Sequence, residues 1–217
     1  MQIARIETCA LAEFEDAITC IIFFQGCEND CNFCQNPQLI PKEGGEEMTW
    51  QQVMVKLQLN YIDWLSLSGG EALAQKDWNG ICMLLNSVKQ YKPSLKINLD
   101  ASSYAVMKHA WSLVGISRHL DCMSVDIKWW DVRHLRELFG WVGDCELQGK
   151  VRYRTVIMGM FPFKEEIAKM LLSRGVKDVK MLPNSMNGRG AFLPPVKKEL
   201  LSDIHEYYAA HGVDFHC

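Results

Sequence analysis

No run of 18 apolar residues occurs in the sequence, and no basic start leads into a short apolar core. Neither a membrane-spanning helix nor a secretory leader is therefore indicated, and the expectation is a soluble, cytoplasmic protein with no membrane partner. An excess of positive charge is missing too. Lys and Arg number 23 against 26 Asp and Glu, a net charge of −3, so the broad positive field that attracts nucleic acid is absent and no nucleic-acid partner is expected. Low-complexity tracts, internal repeats and Pro/Gly/Ser-rich linkers are absent as well. The 217 residues are expected to form a single domain, 1–217, with a substantial core.

What the chain has in quantity is cysteine. Nine is an odd number, and a chain this long and this rich in core residues has no need of disulfide staples, so the count points to metal or redox chemistry. Six of them (Cys9, Cys20, Cys82, Cys122, Cys145, Cys217) stand alone and read as small buried apolar side chains. The other three, Cys27, Cys31 and Cys34, form a C-x3-C-x2-C cluster within F-Q-G-C-E-N-D-C-N-F-C-Q-N-P. This cluster lacks a fourth ligand. No second cysteine pair exists, and the nearest histidine in sequence is His109. A closed zinc site takes four protein ligands. A 4Fe-4S cluster takes one ligand per iron, so three thiolates leave one iron open to a substrate or cofactor.

Around the cluster, strand-like and helix-like segments alternate. The apolar run Ala17 to Phe24 leads into the cysteines, and Thr49 is the expected N-cap of a helix carrying Val53, Met54 and Leu57 on one face. Strands are expected near Asp63–Ser68, Leu95–Asp100, Leu120–Lys128, Val151–Met158 and Asp178–Pro183, each followed by a helical pattern. Six strand-helix units imply parallel pairing with right-handed crossovers, in a partial open barrel or a doubly wound sheet. Either places a ligand at the carboxyl ends of the strands. Several polar residues fall there: Ser68-Gly69-Gly70-Glu71 after the second strand, Asp100 at the end of the third, and Asp126 and Lys128 at the end of the fourth. Paired glycines let backbone approach a ligand closely, although Gly-Gly-Glu alone also reads as a plain turn. The carboxylates and the ammonium suit a zwitterionic ligand or a cation, and a surface ion pair is the alternative. The seven tryptophans, with Trp129-Trp130 beside this region, read as core packing or as a lining of the mouth.

The cysteine spacing, with Phe33 just before the last cysteine, resembles the radical S-adenosylmethionine superfamily. The resemblance implies a six-unit (βα)6 partial barrel of α/β class. It also implies a 4Fe-4S cluster on Cys27, Cys31 and Cys34, whose open iron chelates S-adenosylmethionine. Reductive cleavage to a 5'-deoxyadenosyl radical follows in that family. Gly69-Gly70-Glu71 resembles the motif that holds the methionine amino group there, with Ala72 in place of its usual proline. Leu99-Asp100 and Asp126-Ile127-Lys128 resemble stretches of the glycyl-radical-enzyme activases, which implies that Lys128 meets the cofactor carboxylate. Asp100 and Asp126 would then sit beside a monovalent cation, with Ala101-Ser102-Ser103 replacing the usual Thr-Asn-Gly.

Within that group, F-Q-G-C and C-Q-N-P-Q-L-I-P look like the subfamily that activates anaerobic ribonucleoside-triphosphate reductase, with Gln35 where a histidine is usual. Tyr153-Arg154-Thr155-Val156 resembles a strand of the same subfamily, and Ser185 occupies the offset of a ribose-contacting histidine in relatives. The implied partners are a glycyl radical enzyme, the anaerobic ribonucleotide reductase first, and a flavodoxin- or ferredoxin-type electron donor. Oxygen sensitivity is expected. Two other functions fit the residues: a radical enzyme acting on a small molecule or peptide, as a carboxy-deazaguanine synthase does, and a non-catalytic zinc or iron-sulfur protein.

Overall fold

Polar and apolar residues alternate along the central strands, and this period of two decides how the sheet is used. The computed structural model describes residues 1–128, 132–144, 147, 149–157, 165–183, 189 and 196–216. Its strands are β1 (Gln2–Ala10), β2 (Thr19–Phe24), β3 (Glu46–Glu47), β4 (Trp64–Gly69), β5 (Lys96–Ser102), β6 (Cys122–Ile127), β7 (Val151–Ile157), β8 (Asp178–Pro183) and β9 (Asp214–His216). The helices are α1 (Trp50–Lys56), α2 (Trp78–Tyr91), α3 (Ser103–Lys108), α4 (Ala110–Ser117), α5 (Val132–Asp144), α6 (Glu165–Ser173) and α7 (Lys198–Ala210). Thr49 caps α1 as expected: its Oγ1 accepts from Gln52 N at 3.3 Å, and Gln52 Oε1 accepts from Thr49 N at 2.8 Å.

All nine described strands form one sheet in the order β3-β1-β2-β4-β5-β6-β7-β8-β9. The pairs from β2 through β9 are parallel, while β1 pairs antiparallel with both β2 and β3. The six expected strands are the run β2, β4, β5, β6, β7 and β8. Three more were not anticipated: β1 and β3 extend one edge and β9 the other. The six-unit description is corrected accordingly to a nine-stranded, mostly parallel sheet that does not close on itself. Its order is sequential, without the reversal that defines a doubly wound sheet, so right-handed crossovers stack the helices on one face.

That face is apolar. Leu65, Leu67, Ile97, Leu99, Met123, Val125, Val179 and Met181 share a core with Ile81, Leu84, Leu85 and Val88 of α2, Leu113 and Ile116 of α4, and Leu135 and Leu138 of α5. A parallel sheet covered by helices on both faces would be apolar on both. Here the opposite face carries Ser66, Asn98, Asp100, Ser124, Asp126, Arg152 and Arg154, which the strand register aligns in rows. The loop between β1 and β2 covers the amino-end side of this polar face. Phe14 stacks on Trp64 at 3.9 Å between ring centroids, and the Arg152 guanidinium lies 5.2 Å from the Phe14 ring. Trp64 and Arg152 stand on strands three places apart, so one side chain touching both requires the polar face to be concave. Its carboxyl end is where the candidate site lies.

Candidate functional site

Residues Gln25 to Ile40 leave the carboxyl end of β2 as the cysteine loop, and main-chain hydrogen bonds close its base. Gly26 N donates to Leu39 O at 2.9 Å and Cys27 N to Ile40 O at 3.0 Å. The end of β4 is laid directly on this base: Gly70 N donates to Phe24 O and Glu71 N to Gly26 O, both at 2.9 Å. Such an approach leaves no room for side chains. A Cβ on Gly69, whose φ is +117°, would collide with the Phe24 backbone, and one on Gly70 would collide with the Gly26 and Leu39 carbonyls. The paired glycines thus serve loop-on-loop packing, and the Gly70 and Glu71 amides are bonded within it.

Glu71 was expected among the cofactor contacts, yet its side chain is buried beneath the loop. Its Oε1 accepts from Leu73 N at 3.2 Å, and its Oε2 accepts from Ser102 N at 3.1 Å and Ser102 Oγ at 2.8 Å. Ser102 Oγ also accepts from Asn29 Nδ2 at 2.9 Å, and it caps α3 through Ala105 N. A single carboxylate therefore ties the ends of β4 and β5 to the residue midway between Cys27 and Cys31. The neighbours of Asn29 are tethered as well. Glu28 accepts from Lys108 Nζ at 3.0 Å and lies 2.7 Å from His109 Nε2. Asp30 pairs with Arg189, whose backbone N donates to Cys34 O at 2.8 Å.

Within this frame Cys27, Cys31 and Cys34 are all unbridged and half-buried. Burial pushes the Cys27 thiol up to about 11, despite a 3.4 Å contact from Asn29 N, and the charges of Cys31 and Cys34 add to the rise. Burial also raises Cys31, with the Lys128 ammonium working in the opposite direction. In the metal-free loop Cys27 and Cys31 accordingly favour the protonated thiol, and metal binding has to displace those protons. Among the described residues no three Cys, His, Asp or Glu side chains converge as they would around a single ion. Tetrahedral zinc needs that convergence, whereas a cluster with one thiolate per iron does not. Of the lone cysteines, Cys20 and Cys122 are buried and Cys82 half-buried as anticipated. Cys9 is exposed, contrary to expectation, and Cys145 and Cys217 lie outside the described residues.

A family model described as "4Fe-4S single cluster domain" matches residues 16–131, more than half of the chain. The chain belongs to this 4Fe-4S family. A pyruvate formate-lyase-activating enzyme from Clostridium pasteurianum is 29% identical over 134 residues, which cover 58% of this chain. The match spans about half, 52%, of that relative's length. The donor set meets what a 4Fe-4S family member requires: three thiols on one braced loop, with a cationic side chain beside them.

That cation is Lys128. Its ammonium donates to Asp126 Oδ2 at 3.1 Å and lies 5.5 Å from the Phe33 ring centroid, so the structure brings Phe33, Cys31, Asp126 and Lys128 together. Asp126 in turn accepts from Arg154 Nε at 2.8 Å, and Arg154 also pairs with Asp100 at 3.1 Å. Burial disfavours charge on Asp126, but Lys128 and Arg154 outweigh it and hold the carboxyl below its usual range. Asp100 continues the chain to Ser66 at 3.3 Å and to Asn98 at 3.1 Å, and Ser124 bonds Asn98 at 3.2 Å. The two aspartates expected to flank a monovalent cation are thus bridged by a guanidinium, which supplies the positive charge between them. Ser68, next to last in β4, is half-buried, and Gln35 is exposed. Ser185 and Trp129-Trp130 lie outside the described residues. Arg154 and Asn29 are the residues that motif matching missed, although the alternation V-R-Y-R-T-V does place Arg154 on the polar face.

No described helix is long and apolar enough to cross a membrane. Burial raises the Glu71 carboxyl to about 7 against three hydrogen bonds that lower it. A carboxyl raised on folding holds its proton in the native state, so stability contributed through it falls as pH rises from about 4.5 to about 7. The scale is up to about 3 kcal/mol. Urea denaturation of the metal-free protein at pH 5 and pH 8 should show this loss, and Glu71→Gln should flatten it. Arg154→Met should cost about 2 to 3 kcal/mol in the same assay. This is less than the 3 to 5 of a fully buried pair, because the Arg154 and Asp126 side chains keep 19% and 25% exposure.

Proposed function

We propose that the chain is a radical S-adenosylmethionine enzyme that activates a glycyl radical enzyme, with anaerobic ribonucleoside-triphosphate reductase as the first candidate partner. The observation that carries this reading is the three-cysteine loop of a 4Fe-4S family member facing Lys128 across the carboxyl end of an open, sequentially ordered sheet. That strand order suits the partial (βα)6 barrel expected from the motifs. The activating enzyme found as a relative supports the same class of reaction. The specific partner rests on F-Q-G-C and C-Q-N-P-Q-L-I-P around the cysteines.

When bound, the reduced cluster supplies the electron that cleaves the carbon-sulfur bond of S-adenosylmethionine to methionine and a 5'-deoxyadenosyl radical, which takes a hydrogen atom from a partner glycine Cα. The chain's own residues prepare that event. Cys27, Cys31 and Cys34 would hold the cluster, which with three protein ligands would keep one iron open to the cofactor. Lys128 offers its ammonium to the cofactor carboxylate while Asp126 and Phe33 hold it in place. Arg154 bridges Asp100 and Asp126 and, together with Lys128, balances their two negative charges, so that the Lys128 ammonium is held in a fixed place at the mouth. Glu71 and Ser102 act as positioning residues, because the Asn29 bond transmits their placement to the cysteine loop.

The test is electron paramagnetic resonance of the anaerobic ribonucleotide reductase after anaerobic incubation with the reconstituted chain, S-adenosylmethionine and a reductant. A glycyl doublet is expected, lost with Cys31→Ala. A silent partner in the presence of an intact cluster would overturn the assignment of that partner, and silence from every glycyl radical enzyme tried would overturn the activase reading.

A further inference from the structure

Each of the three residues between Cys27 and Cys31 has an anchor, and the anchors differ in origin. Glu28 is held by Lys108 and His109 where α3 meets α4, and Asn29 is held by Ser102 beside Glu71. Both anchors belong to the part of the sheet next to β2. Asp30 is different. Its partner, Arg189, lies beyond Pro183, the last residue of β8, and β8 stands five places from β2 in the strand order. The pair therefore spans the carboxyl end of the sheet.

Arg189 does more than pair with Asp30. The same guanidinium nitrogen, Nη1, donates to Cys31 O at 3.4 Å, and the Arg189 backbone amide donates to Cys34 O at 2.8 Å. Cys34 N in turn donates to Cys31 O at 3.2 Å, so Cys31-Asn32-Phe33-Cys34 forms one turn whose first and last carbonyls are both bonded to Arg189. This arm also carries Phe33, whose ring lies 5.5 Å from the Lys128 ammonium. An exposed ion pair taken alone contributes little to stability, and the Asp30 and Arg189 side chains are 78% and 39% exposed. A guanidinium that meets a carboxylate and a carbonyl at once, beside a main-chain bond from the same residue, fixes geometry instead. Groups that orient a metal's ligands from outside also tune the metal.

We propose that Arg189 is the positioning residue for the second half of the cysteine loop: it sets Cys31 and Cys34 for the cluster, as Glu71 and Ser102 set Asn29 and the first half. The inference rests on the cluster reading above, but neither on S-adenosylmethionine nor on the glycyl radical partner. The pair also has an electrostatic consequence. Arg189 and Asp30 balance each other, so removing either one leaves the opposite charge alone beside Cys31. A lone Asp30 disfavours adding an electron to the cluster, and a lone Arg189 favours it. A residue that only stabilised the fold would not give opposite signs.

Two measurements test the assignment, the first without metal. In the metal-free protein, hydrogen exchange followed by mass spectrometry should show Cys31 to Gln35 exchanging about fivefold faster in Arg189→Gln, the scale of one lost hydrogen bond, with β2, β4 and β5 unchanged. In the anaerobically reconstituted protein, potentiometric titration followed by electron paramagnetic resonance reads the cluster itself. At fixed potential the oxidised-to-reduced ratio should rise about threefold in Arg189→Gln and fall about threefold in Asp30→Asn, about 30 mV each way at about 59 mV per tenfold. Arg189→Lys keeps the charge without the fork, so it should hold the parent potential and still lose the exchange protection. Parent-like exchange in Arg189→Gln, faster exchange that extends through β2, β4 and β5, or potential shifts of one sign in Arg189→Gln and Asp30→Asn would each overturn the assignment. A cluster that titrates as expected but ignores S-adenosylmethionine would sink the radical reading and leave this one standing, whereas a parent that assembles no four-iron cluster would overturn both.

Discussion

The carboxylate of Glu71 is the constraint on which the candidate site depends. Buried under the cysteine loop, it collects the Leu73 amide and both donors of Ser102, and through Ser102 it fixes Asn29 between the first two cysteines. Because Gly69 and Gly70 carry no Cβ, the end of β4 can lie flat on the loop base and deliver that carboxylate to the end of β5. Three strand ends and the loop thus become one rigid unit before any metal is bound. Burial there raises the Cys27 and Cys31 thiols, so the loop favours them protonated.

A second consequence concerns charge. The polar face runs from Ser66 through Asn98, Asp100, Arg154 and Asp126 to Lys128, each side chain bonded to the next. Arg154 and Lys128 together balance the two aspartates, and Lys128 stands at the end of the chain nearest Cys31. A face built this way places an ammonium at the mouth, and it leaves the apolar face free to bury the helices. Function and folding therefore use opposite sides of the same strands.

Much of this was legible in the sequence. The C-x3-C-x2-C spacing, the strand-helix alternation and the Thr49 cap each have a local signature, and all reappear in place. The family match bears out the expectation of a 4Fe-4S cluster. What was not legible depended on distance in the fold. Gly-Gly-Glu has a motif signature, but only the pairing of the β4 end with the loop base shows that the Gly70 and Glu71 amides bond Phe24 and Gly26. Arg154 was visible as a period-two residue, yet its bridging of Asp100 and Asp126 joins residues from β5, β6 and β7. The edge strands β1 and β9 escaped because neither belongs to a strand-helix unit.

The central claim is that three thiolates hold a four-iron cluster with one iron left for S-adenosylmethionine. Mössbauer spectroscopy of the anaerobically reconstituted, iron-57-labelled protein tests it most directly, alongside iron and zinc analysis. The account predicts about four irons per chain, one of which changes its isomer shift when S-adenosylmethionine is added. Stoichiometric zinc, or a cluster whose four irons are all indifferent to S-adenosylmethionine, would contradict it.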